Sequence, residues 1–103
     1  MSGLEKTYPE DLPAARGHFP GNPIIPGAWL LADALATVAA ELGWEPGACI
    51  VKNAKFLSPA RPGERVRIEY TEGAAGSLKL ECAVGGNAVL SAQISCPPSP
   101  TAA

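Results

Sequence analysis

From Gly27 to Leu42 the chain runs Gly-Ala-Trp-Leu-Leu-Ala-Asp-Ala-Leu-Ala-Thr-Val-Ala-Ala-Glu-Leu, with no proline and no interior glycine. Ala and Leu are strong helix formers and Gly43 is a stop signal, so the pattern predicts one helix over 27–42. Its polar residues Asp33, Thr37 and Glu41 recur every four positions and form a single stripe. Every other position from Ala28 to Leu42 is Ala, Leu, Val or Trp. A helix apolar nearly all round is expected to be buried nearly all round, with its polar line facing a cavity or water.

Past the turn at Glu45-Pro46-Gly47 the period changes to two. Ala48 to Leu57 is strand-like. Val66, Ile68 and Tyr70 alternate with Arg65, Arg67 and Glu69, and Leu78, Leu80, Cys82 and Val84 alternate with Lys79, Glu81 and Ala83. Gly85-Gly86-Asn87 is a hairpin signal, and Leu90, Ala92, Ile94 and Cys96 make the last apolar row. Ahead of the helix, Leu4 to Tyr8 reads as a short strand stopped by Pro9. Asp11 to Pro26 reads as a loop, punctuated by Pro13, Pro20, Pro23, Gly17 and Gly21. Phe19, Ile24 and Ile25 make that loop unusually apolar, so it is expected to pack down. Residues 97–103, with Pro97, Pro98 and Pro100, read as a frayed tail after one domain over 1–96.

The order is short strand, long loop, helix, then four strands joined by tight turns. Successive hairpins make an antiparallel sheet with one buried face, and the simplest α+β solution wraps it around the helix. Five strands on one helix leave edges, and pairing two copies would cover them, so a homodimer is expected.

Composition narrows the function classes. The chain has 103 residues, room for one domain with a small core, and its 47% hydrophobic content is ordinary. Charged residues make up 17%, and ten acids against eight bases leave a net charge of −2, a poor balance for nucleic acid. The longest apolar stretch, around Pro26 to Leu31, is too short to span a bilayer. No basic region followed by an apolar run opens the chain, so a cytoplasmic location is expected. Cys49, Cys82 and Cys96 are an odd count without CxxC spacing, and with one histidine present a zinc site is not expected. Reduced thiols, serving as small apolar residues on strands, are the expectation.

The densest cluster of unusual residues is Gly17-His18-Phe19-Pro20-Gly21-Asn22-Pro23-Ile24-Ile25-Pro26-Gly27. It is a restrained loop that sets an imidazole just ahead of a helix start. Imidazole titrates near neutral pH and suits general acid–base work, while the free N–H groups of a helix start stabilise charge developing on a carbonyl oxygen. In such a loop Asn22 serves the turn.

The run His18 to Gly27 closely resembles the signature of the 3-hydroxyacyl-acyl-carrier-protein dehydratases of fatty acid synthesis. The resemblance continues at Lys55-Phe56, Pro59 and Pro62-Gly63-Glu64 and spans roughly residues 15–95. It implies the hotdog fold, an antiparallel sheet wrapped around a central helix, which agrees with the architecture read from the pattern. It also implies that His18 moves the C2 proton and protonates the 3-hydroxyl, that an acid near Asp33 on the partner's helix assists, and that amides around Gly27 and Ala28 polarise the thioester carbonyl. By the same resemblance Phe19, Gly21, Pro26, Gly27, Ala28, Trp29 and Thr37 contact substrate, and no cofactor or metal is needed.

One departure matters. Counted from the Pro-Gly step, the family's acid falls on Ala32; counted along the helix, Asp33-Ala34-Leu35-Ala36-Thr37 resembles the acid-Ala-Leu-x-Gln run. One extra residue rotates a helix by about 100°. Asp33 therefore reaches the site only if the first turn absorbs the insertion near Trp29.

From Lys52 to Arg67 the bases Lys52, Lys55, Arg61, Arg65 and Arg67 face one acid, Glu64, a local net of +4 in an acidic chain. Such a patch suits an acidic partner such as an acyl carrier protein, and coenzyme A is the other carrier to weigh. Three functions stay open: dehydration of 3-hydroxyacyl thioesters, acyl binding by a non-catalytic subunit paired with an active partner, and thioester hydrolysis. The long His-Phe-Pro-Gly motif favours the first.

Overall fold

Helix α1 spans Gly27–Leu42, and both of its ends follow from local chemistry. Pro26 precedes it with φ −56° and ψ 133°, an extended conformation from which a chain can turn straight into a helix. At the other end Gly43 takes φ 73°, which lets Trp44 N donate to Ala39 O (2.8 Å) and Gly43 N to Ala40 O (3.4 Å). These are the paired bonds of a Schellman stop. The structure is a computed structural model and describes residues 2–15 and 23–96. The expected tail at 97–103 lies outside the described residues, as do His18, Phe19, Gly21 and Asn22.

The strands are β1 (Ser2–Thr7), β2 (Ile50–Phe56), β3 (Arg65–Glu72), β4 (Ser77–Val84) and β5 (Asn87–Ser95), with single 3-10 turns at Pro13–Ala15, Pro46–Ala48 and Ala74–Gly76. They form one antiparallel sheet in the order β1-β3-β4-β5-β2. The expectation of successive hairpins holds for β3–β4 and β4–β5 and is corrected for β2, which pairs with β5 at the far edge while β1 takes the place beside β3. The connection between β2 and β3 explains the crossing. It carries Pro59 and Pro62, is tied to the helix entry by Ile25 N donating to Ala60 O (2.8 Å), and turns into β3 through Arg61-Pro62-Gly63-Glu64. Gly63 adopts φ 87° there, as the third position of a type II turn requires. Between β4 and β5, Gly85 and Gly86 take φ 56° and 84°, the geometry of a two-residue hairpin that matches strand twist.

The inner sheet face packs on α1. Leu30, Ala34 and Val38 from the helix and Val66, Ile68, Leu80 and Leu90 from the strands are all at 0% exposure. The period-two rows read from the sequence are thus the core rows. Near-complete burial of the helix is corrected, however: Ala28, Ala32, Ala36 and Ala40 form an exposed stripe. A single sheet covers one side of a helix, and alanine's helix preference and small size carry no signal about which side that is. The β2 edge is open as well. Val51 and Phe56 pair with the inward residues Ile94 and Leu90 and so point to the helix side, yet they are 41% and 54% exposed.

The expectation of three reduced cysteines is also corrected. Cys49 and Cys96 form a disulfide, with Cα atoms 4.1 Å apart. Ile50 pairs with Ser95 at the end of the β2–β5 ladder, so the next residue on each strand stands opposite its counterpart. A separation of 47 residues hides this proximity from any spacing rule. Cys82 is free and buried, as expected of a strand cysteine, and burial pushes its thiol up to about 12. On loop-closure entropy a bridge of this span stabilises the chain by roughly 4 kcal/mol. Thiol titration of the native oxidised protein should find no reactive group, one on unfolding and three after reduction; Cys96→Ser should lower the denaturant midpoint accordingly.

Candidate active site

The entry to α1 builds the site. The first intrahelical bond runs from Leu30 N to Pro26 O (2.9 Å), so the N–H groups of Gly27, Ala28 and Trp29 precede any helical acceptor. Among the described residues no side chain caps them, and no acid lies in the first turn.

Beside this terminus opens a cavity of ≈ 280 Å³ lined by Ile24, Ile25, Gly27, Leu30, Phe56, Leu57, Ser58, Pro59, Ala60 and Val89. Among the described residues its wall is almost wholly apolar, with Ser58 the one polar side chain. A bulge in β5 contributes: Ala83 pairs with Ala88 and Cys82 with Leu90, leaving Val89 between them. The Val89 carbonyl accepts from Leu57 N (2.8 Å) and Ser58 N (3.3 Å), which fixes the end of β2 against the cavity. Gly27 is required by this packing, since a Cβ there would lie 2.6 Å from Phe56 Cδ1.

The sequence-predicted residues divide between two sides of the helix start. Gly27 lines the cavity and Pro26 caps the helix. Ala28 lies on the exposed alanine stripe, as does Ala32. Trp29 turns toward β1, where its ring meets that of Tyr8 edge-on at 5.5 Å. Asp33 and Thr37 face the same way. Asp33 Oδ2 accepts from Lys6 Nζ (2.8 Å) and from Tyr8 OH (2.6 Å). Lys6 Nζ also donates to Thr37 Oγ1 (3.3 Å), and Thr37 Oγ1 donates to the Asp33 carbonyl (2.8 Å). Burial, and then the hydrogen bond to Asp33, hold the Tyr8 phenol protonated well above its ordinary range. The helix is regular through its first turn, so no bulge absorbs the extra residue near Trp29.

Lys6, Tyr8, Leu57 and Val89 were not among the residues the sequence singled out. Lys6 was findable: Leu4, Lys6 and Tyr8 alternate along β1 and the residue just after it, and a cation in an apolar row asks for a partner. Val89 was not, because a bulge leaves no mark in a run of apolar residues.

The five bases do not form one patch. Lys52 and Lys55 lie on β2, while Arg65 and Arg67 lie on β3, separated by β4 and β5. Three ladder spacings amount to about 14 Å. Arg67 is paired with Glu69 (2.7 Å) on an exposed surface, and Arg61 sits in the β2–β3 connection. Lys52, at a register shift in β2, instead joins Lys79, Gln93, Ser77 and Ser95 around a groove of ≈ 470 Å³.

A five-stranded antiparallel sheet packed on one central helix, with a proline-and-glycine entry beside an apolar cavity, defines a hotdog-fold domain. Residues 2–93 match the ApeI-like family, described as ApeI dehydratase, and the chain belongs to that family. It is 42% identical over 67 residues to the 3-hydroxyacyl-acyl-carrier-protein dehydratase FabZ of Caulobacter vibrioides, a match covering 55% of this chain and 42% of that protein. The chain thus spans less than half the length of the curated relatives it matches. Among solved structures it resembles an uncharacterised protein from Erwinia carotovora subsp. atroseptica, with TM-score 0.74 and 24% identity over 93% of this chain and 82% of that one. It also resembles the dehydratase heterocomplex ApeI:P from Xenorhabdus doucetiae, with TM-score 0.72 and 23% identity over 93% and 86% of the two chains. Among the described residues no helix is long and apolar enough to cross a membrane.

The Gly27–Phe56 contact can be tested alone. Gly27→Ala should cost about 1–3 kcal/mol by overpacking. Adding Phe56→Ala should recover part of that loss in thermal melts, since the clashing ring is then gone.

Proposed function

We propose that this chain removes water from 3-hydroxyacyl thioesters to give trans-2-enoyl thioesters in fatty acid or related acyl-chain synthesis. The observation that carries the reading is the uncapped start of α1 opening on an apolar cavity, directly after the His-Phe-Pro-Gly segment. The amides around Gly27 and Ala28 bind the thioester oxygen, lowering the cost of the enolate-like charge that forms as C2 loses its proton. His18 takes that proton and delivers one to the departing 3-hydroxyl, so that water leaves and the double bond forms. The acyl chain lies along Ile24, Ile25, Phe56 and Leu57. FabZ of Caulobacter vibrioides is named for an acyl-carrier-protein substrate, and an acyl carrier protein is the carrier we infer here, steered by the lysines of the β2 edge.

Two copies assemble through β2 in this reading. Its unpaired edge, with Ile50, Val51, Phe56 and Leu57 between 41% and 62% exposed, offers both hydrogen-bonding groups and apolar surface to a second strand. A second reading, a binding subunit completed by a different hotdog chain, is favoured by one observation: Asp33 Oδ2 is already engaged by Lys6 and Tyr8. The dehydratase heterocomplex ApeI:P from Xenorhabdus doucetiae is a precedent for such pairing.

Hydration of a short 2-enoyl thioester, followed by loss of its conjugated absorbance, tests the reaction in reverse. His18→Ala should lower turnover by about 10²–10⁴-fold while the protein stays folded. Release of free thiol in the same assay would mean hydrolysis instead, and no turnover on either carrier-protein or coenzyme A substrates would favour the binding subunit. Sedimentation of the native chain beside Val51→Lys should show a dimer that the lysine weakens.

A further inference from the structure

The network around Asp33 is built more heavily than a surface ion pair. Two donors, one from edge strand β1 and one from the residue that follows it, converge on one oxygen, Oδ2: the Lys6 ammonium at 2.8 Å and the Tyr8 hydroxyl at 2.6 Å. Tyr8 is buried to 3% exposure and the Asp33 side chain is 26% exposed. The Lys6 ammonium also lies 5.4 Å from the centre of the Tyr8 ring, and that ring meets Trp29 edge-on at 5.5 Å. Trp29 belongs to the first turn of α1, whose first residue, Gly27, lines the apolar cavity, whereas Asp33 itself is not among the residues that line it.

We propose that Asp33 is a positioning residue: with Lys6 and Tyr8 it ties the early turns of α1 to β1, and it acts on the site through the Tyr8–Trp29 contact. The assignment rests on the reading above for its effect on turnover, but not for its effect on Trp29. The physical chain is short. Asp33 pins the phenol, the pinned ring buttresses Trp29, and Trp29 sets the angle at which the first amides of α1 face the cavity. Displacing such groups by a fraction of an ångström weakens a bond that must be met in the transition state. A proton-donating role would make a different demand, for a carboxyl group facing the substrate.

The two roles separate in Asp33→Asn. Asparagine keeps an oxygen that accepts from Lys6 and Tyr8 but cannot donate a carboxyl proton. If Asp33 positions, Asp33→Asn retains turnover close to the native protein, while Asp33→Ala and Tyr8→Phe each lose between about tenfold and a hundredfold. If Asp33 donates a proton, Asp33→Asn falls as far as Asp33→Ala and Tyr8→Phe is nearly silent, and the proposal is overturned. The second readout needs no activity. With Trp44→Phe as background, Trp29 is the remaining tryptophan, and its emission and near-ultraviolet dichroism report its packing on Tyr8. The proposal expects these signals to shift in Asp33→Ala and Tyr8→Phe and to persist in Asp33→Asn. An unchanged Trp29 signal in the folded Asp33→Ala or Tyr8→Phe protein would defeat it. A native chain without turnover but with the expected Trp29 shifts would refute the dehydratase reading and leave the positioning role standing. Should Asp33→Ala fail to fold, Tyr8→Phe and Asp33→Asn still decide.

Discussion

The width of one helix against one sheet is the constraint on which the rest of this structure depends. Leu30, Ala34 and Val38 are fully buried against the inner rows of β3, β4 and β5, and this contact supplies most of the apolar area a small chain can remove from water. A helix about 10 Å across cannot cover five strands spaced by roughly 4.8 Å. The central strands are covered and the two edges are not. Each edge therefore needs its own solution, and the two solutions differ.

At the β1 edge the solution is polar and internal. Lys6 points inward beside Leu4 on the same face of β1, and it is met by Asp33 and Thr37 from the helix. Among the described residues no buried side-chain nitrogen or oxygen lacks a partner, so this cluster is satisfied rather than merely tolerated. At the β2 edge nothing on the helix reaches out. Val51 and Phe56 face the helix side and remain open, and the alanine stripe of α1 leaves a smooth surface. Covalent chemistry holds one end of β2 through Cys49–Cys96, and the Val89 carbonyl holds the other. The cavity sits at that second end, where β2, the bulged part of β5 and the helix entry meet.

These asymmetries bear on the proposed function. Gly27, at the helix start, lines the cavity, whereas Asp33, Lys6, Tyr8 and Trp29 meet on the β1 side. In the proposed role of Asp33, Trp29 joins the two, coupling its packing on Tyr8 to the aim of a backbone amide at the cavity.

Helix α1 was legible to the residue, since Pro26 and Gly43 bracket a run with no other plausible break. The strand rows were legible because side chains alternate with period two, and the His-Phe-Pro-Gly segment was legible because so many conformationally extreme residues stand together. Other features were not. Alternation states which residues share a face and says nothing about which strands are neighbours, so the placement of β2 beside β5 came only with the fold. The Cys49–Cys96 bridge and the partners of Asp33 depend on that placement and on the position of β1. By itself, then, the sequence determined the elements and the buried rows of the central strands, because these rest on local sterics and hydrophobic period. Only the tertiary structure decided strand order, the open edge, the disulfide and the direction Asp33 faces, because each of these is a meeting of residues far apart in the chain.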